Sequence, residues 1–75
     1  GRGFLRNAYH TLQLQPDAED GDIRRAYLRL MSRYHPDKLV QEKNLSEEAL
    51  KSAAEKLTAI RSAYEAVCGF RKIRA

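Results

Sequence analysis

Seventy-five residues make one small domain, able to bury roughly 60–65% of its unfolded surface. A pocket enclosing a substrate would consume much of such a core, so a binding module is expected and an enzyme is not. The chain carries 14 Lys and Arg against 10 Asp and Glu, a net charge of +4.

One cysteine, Cys68, excludes an internal disulfide framework and suits a reducing compartment. The apolar runs are only a few residues long, too short to span a membrane. No signal-peptide pattern is visible. With Gly1 in place of a methionine, residues 1–75 are expected to be a single domain cut from a longer protein.

In chain order, a short helix is predicted over residues 7–14, presenting Ala8, Tyr9 and Leu12 before Pro16 breaks it. A second helix is predicted over residues 18–34. Its apolar residues Ile23, Ala26, Tyr27, Leu30, Met31 and Tyr34 fall at i, i+3, i+4, i+7, i+8 and i+11, one stripe of an amphipathic helix. Asp17, with Asp20 three residues on, resembles a capping box at its start. Pro36 disfavours helical backbone at His35, so Tyr34 is the expected end.

A longer helix is predicted over residues 46–68, capped by Ser46 with Glu47 and Glu48 in its first turn. Its stripe runs Leu50, Ala53, Leu57, Ile60, Tyr64 and Val67, and Gly69 offers a stop. Alanines 49, 53, 54, 59 and 63 would allow a neighbouring helix to approach closely. No strand pattern or repeat competes. The expected fold is all-α, a hairpin of the two longer helices with the short one packed across it. Only residues 35–45 lack periodicity.

The excess charge is local. Arg24, Arg25, Arg29, Arg33 and Lys38 against Asp37 give +4 within residues 23–38, while the remainder balances nine bases with nine acids. Arg25, Arg29 and Arg33 form an i, i+4, i+8 row away from the apolar stripe, and Leu28 points outward beside Arg24. An ordinary solvated face would account for such a row, but not for the concentration of all the net charge on one helix ending at His35, Pro36 and Asp37. A basic face beside an exposed loop is a docking surface for an acidic partner.

Competing chemistries fit less well. The basic row lacks the Asn, Gln or aromatic readers of nucleic-acid bases, and Glu19, Asp20 and Asp22 occupy the end of the helix that would meet them. His10, His35 and Cys68 have no zinc-ligand spacing. Ser32 or Ser46 near His35 and Asp37 does not resemble a nucleophile elbow. Cys68 reads as a small buried hydrophobe, and Tyr27, Tyr34 and Tyr64 as core.

The stretch "AYLRLMSRYHPDKL", preceded by "DIRR" and followed by "AIRSAYEAV", resembles the J domain of DnaJ-family co-chaperones over nearly the whole chain. "NAYHTLQL" matches the first helix of that family. The tripeptide alone is weak evidence, but between these two helices it is strong.

The resemblance implies a module that binds a DnaK-type ATPase chaperone and stimulates its ATP hydrolysis, acting as a monomer with no cofactor, no metal and no nucleic acid. His35, Pro36 and Asp37 match the essential triplet, while Arg24, Arg25, Arg29, Arg33 and Lys38 fall on the basic contact face. Tyr27, Leu30 and Leu57 match the structural core. Leu28 departs from the family, which often has a base there; an apolar contact replaces the charge, or that part of the interface is weaker. Physically, Pro36 would lock the turn, and Asp37 would bond nearby backbone or pair with Arg33 or Lys38, holding His35 outward.

The long stretch "LVQEKNLSEEALKSAAEK" after the triplet resembles the bacterial membrane-anchored DnaJ-like proteins of the DjlA type, which carry this domain at the C-terminus. That likeness implies a domain facing the cytoplasm, without direct membrane contact, in a protein anchored in the inner membrane. Iron–sulfur-assembly co-chaperones share an extended third helix and are the alternative within the family; a basic nucleic-acid-binding helical domain is the alternative outside it. A fourth helix is at most abbreviated in "FRKIRA".

Overall fold

A computed structural model describes residues 2–35 and 46–74. Within them the chain forms three α-helices and no strand: α1, Arg2–Thr11; α2, Asp20–Arg33; and α3, Glu47–Arg71. α1 packs chiefly on α3, as does α2. The α2–α3 register is antiparallel. Asp20 meets Arg71, Tyr27 meets Tyr64, and Tyr34 meets Lys56, so each step forward on α2 is matched by a step back on α3.

The predicted stripes are the inner faces. Ala8, Tyr9 and Leu12 from α1 and its end meet Ile23, Ala26 and Leu30 from α2 and Ala53, Ile60, Ala63, Tyr64, Val67 and Cys68 from α3, all buried. Leu12, Ile23, Leu30, Val67 and Cys68 are almost fully enclosed. Tyr27 and Leu57 are only half-buried, at the rim of the core. Of the five alanines expected at helix contacts, Ala53 and Ala63 are buried and Ala49 half-buried, whereas Ala54 and Ala59 face solvent.

The helix ends differ most from the sequence expectation. α1 begins at Arg2 and stops at Thr11, before the proline acts. Gln13 enters the left-handed region at φ 62°, donating to the His10 carbonyl at 2.9 Å, and the Leu14 N–H reaches back to the Tyr9 carbonyl at 2.9 Å. This is a Schellman closure, with Leu14 packed on the core as its apolar clasp.

α3 ends in the same way. Gly69 stays helical, Lys72 takes φ 59°, and the N–H groups of Lys72 and Ile73 bond the carbonyls of Gly69 and Cys68 at 3.3 and 3.0 Å. The helix therefore continues to Arg71, and among the described residues no fourth helix follows. Ile73 packing against the core favours closure here over a stop at Gly69.

Both closures place a side-chain-bearing residue where glycine is favoured, at a cost of roughly 1–2 kcal/mol each. Gln13→Gly should therefore stabilise the domain, net of the unfolded chain's added freedom, by about 0.5 kcal/mol. Thermal melting followed by circular dichroism should show a rise of about 2–4 °C. A fall would mean that the Gln13 side chain makes a compensating contact.

At the start of α2 the acids take other roles than expected. Glu19, not Asp17, is the N-cap. The Asp22 carboxylate accepts the Glu19 backbone N–H at 3.3 Å and also pairs with Arg25. These bonds, that from Arg25 foremost, hold the Asp22 carboxyl below the usual carboxylate range. Asp20 instead reaches α3. Ser46 caps α3 as expected, its hydroxyl accepting the Ala49 N–H at 3.3 Å.

Candidate functional site

Tyr34 terminates α2, its N–H still bonded to the Leu30 carbonyl at 3.1 Å and its backbone at φ −105°, ψ 11°. His35 follows, outside the helix and exposed. Pro36, Asp37 and Lys38 lie outside the described residues, and so do the expected contacts of Asp37 with Arg33 or Lys38.

The helix leading to His35 carries Arg24, Arg25, Leu28, Arg29 and Arg33, all exposed. They divide into two rows. Arg25, Arg29 and Arg33 run along one side, over about 12 Å at 1.5 Å per residue. Arg25 is tied to Asp22 one turn earlier, which partly offsets its charge; both groups are exposed, so the pair adds little stability. Arg33 lies with its guanidinium 5.6 Å from the centre of the Tyr34 ring.

Arg24 and Leu28 belong to the other row, along the furrow between α2 and α3. Its floor is Tyr27 stacked on Tyr64, ring centres 3.9 Å apart and 6° from parallel, and Arg61 and Glu65 form its far wall. Burial pushes the Tyr64 hydroxyl above its ordinary range, Cys68 acts in the same direction, and Arg24 opposes both. The furrow continues past Met31 and Leu57 towards Ala54.

Two basic residues of α3, Arg61 and Lys56, thus join the surface unannounced by the α2 pattern. Lys56 places its ammonium 5.0 Å from the Tyr34 ring centre, so that ring is flanked by cations from both helices immediately before His35. Their signal lay in the antiparallel register, which carries residues near 56 and 61 opposite 34 and 28–31.

Among the described residues no group of three or more His, Cys, Asp or Glu side chains is placed to hold a metal ion. No helix among them is long and apolar enough to cross a membrane. The described part of α2 thus presents four exposed arginines and one exposed large apolar residue, Leu28.

A DnaJ domain matches residues 7–74. The chain belongs to the DnaJ domain family, whose members are regulatory modules and not catalysts. It is 43% identical over 74 residues to the co-chaperone protein DjlA of Coxiella burnetii, covering 99% of this chain and 26% of that one. With DjlA of Legionella pneumophila it shares 45% over 64 residues, 85% of this chain and 21% of that one. With adaptation to cold protein J of Shewanella oneidensis it shares 39% over 59 residues, 79% of this chain and 60% of that one. The chain spans about a quarter of the length of the DjlA relatives. No solved structure matches it.

Proposed function

We propose that the domain is a co-chaperone module that docks on a DnaK-type ATPase chaperone through the basic face of α2 and the His35-Pro36-Asp37 loop, and stimulates its ATP hydrolysis. Membership of the DnaJ family and the co-chaperone names of the DjlA relatives support the role. The observation carrying the assignment to these residues is the line of exposed arginines on α2 that runs to an exposed His35. Arg24, Leu28 and Lys38 belong to the same surface in this reading.

The domain supplies no reacting group. It binds the hydrolysis-competent state of the partner more tightly than the resting state, and the partner's equilibrium shifts by that difference. The arginines raise the encounter rate with an acidic surface, and the helix sets the angle at which His35 arrives. The likeness to DjlA extends the proposal to a domain facing the cytoplasm as part of a longer, inner-membrane-anchored protein.

Arg29 offers the cleanest test of the docking face. Arg25 is tied to Asp22 and Arg33 lies by Tyr34, whereas Arg29 is exposed and engaged in no ion pair among the described residues. Arg29→Glu should leave helicity unchanged and slow association with the chaperone roughly three- to tenfold at low salt. The difference should shrink as salt rises, because screening weakens steering in both proteins. Stopped-flow association across a salt series reads this directly. Equal rates at low salt would remove α2 from the interface.

A further inference from the structure

We infer that Leu28 is a specificity-determining contact, which fits this domain to a chaperone surface presenting an apolar side chain flanked by carboxylates. The inference rests on the docking reading above and deepens it. Leu28 is 51% exposed, and only Phe4 and Phe70 share that condition among the large apolar residues described. Those two lie on α1 and at the end of α3, whereas Leu28 sits in the middle of the charged helix.

Its surroundings define the complement. Arg24 stands one turn before it, and across the furrow Arg61 faces the same opening. Neither arginine is paired with a carboxylate among the described residues. Beneath them the Tyr27–Tyr64 stack bridges the two helices and gives a rigid apolar floor. Glu65 at the far wall is the one acid lining this opening among the described residues and would accept a donor at the edge.

An apolar knob between two guanidinium groups that have no carboxylate partner among the described residues therefore matches an apolar side chain bordered by acids. The arginines would be desolvated only on meeting those acids. A wholly acidic surface would leave Leu28 in contact with charge. A wholly apolar one would bury two unpaired cations, which is costly.

The test compares Leu28→Ala, Leu28→Lys and Leu28→Met with wild type in binding a DnaK-type chaperone, alongside thermal melts. Leu28→Ala should melt like wild type, bind about tenfold more weakly through faster dissociation, and keep the wild-type salt dependence. Leu28→Met should restore most of the affinity. Leu28→Lys should also bind more weakly, despite its added positive charge. Unchanged affinity in Leu28→Ala, or tighter binding by Leu28→Lys, would overturn the inference. So would concentration-dependent self-association of wild type that Leu28→Ala abolishes, since a second copy would then be the occupant. A wild-type domain that binds no such chaperone defeats the docking reading first, and the outcomes are thereby separable.

Discussion

Arg71→Ala should cost the domain about 2–4 kcal/mol and lower its melting temperature by roughly 10–25 °C. Three parts of the chain converge on this one side chain. Nε donates to the buried Tyr9 hydroxyl at 2.8 Å, Nη1 to Asp20 at 2.9 Å and Nη2 to the Pro16 carbonyl at 3.0 Å. The guanidinium also lies 5.3 Å from the Tyr9 ring centre. These bonds hold Arg71 firmly protonated, its pKa raised first by Asp20 and then by Tyr9.

The Arg71 side chain is only 17% exposed, so truncating it would take the donor from acceptors that water reaches poorly, the Tyr9 hydroxyl foremost. Asp20→Asn should cost under about 1 kcal/mol, because that carboxylate is 60% exposed and screened. Arg71→Lys should recover only part of the loss, since an ammonium cannot fork to three acceptors in this plane. Thermal and denaturant melts check the series. Equal losses in Asp20→Asn and Arg71→Ala would place the stability in the ion pair and not in the tie to α1 and Pro16.

His35→Gln should show the opposite pattern, a melting curve like wild type and near-complete loss of ATPase stimulation. The residue is exposed and follows the last backbone bond of α2, so substitution should change stability within roughly 0.5 kcal/mol. A buried, hydrogen-bonded histidine would instead cost about 1–3 kcal/mol. Normal stimulation by a folded His35→Gln domain would remove the loop from the proposed mechanism.

The inner faces of all three helices were legible because a 3.6-residue period is imposed by the core itself, and each stripe residue named from the sequence is buried or half-buried. The helix ends were not. Glycine and proline advertise ends, yet Gln13 and Lys72 take the left-handed positions here, and Gly69 remains helical. What decides these ends is tertiary: Leu14 and Ile73 close onto the core. Asp20 was misread for a related reason. Its spacing from Asp17 resembled a cap, while its partner, Arg71, lies 51 residues away.

For the site, the arginine row and exposed His35 follow from the wheel and from Pro36. The division of the basic face by the furrow, and the presence of Lys56 and Arg61 beside it, required the register of α2 against α3. Arg25's engagement with Asp22 was readable in principle as an i, i+3 pair of opposite charges. It makes Arg25 a poorer probe of docking than Arg29.

Single-turnover ATP hydrolysis by a DnaK-type chaperone, titrated with the wild-type domain, reads the proposed stimulation without contribution from nucleotide exchange. The expected result is a saturable acceleration, reached at lower domain concentration in low salt and absent with His35→Gln at every concentration. A hydrolysis rate that stays at its basal value while the domain demonstrably occupies the chaperone would contradict it.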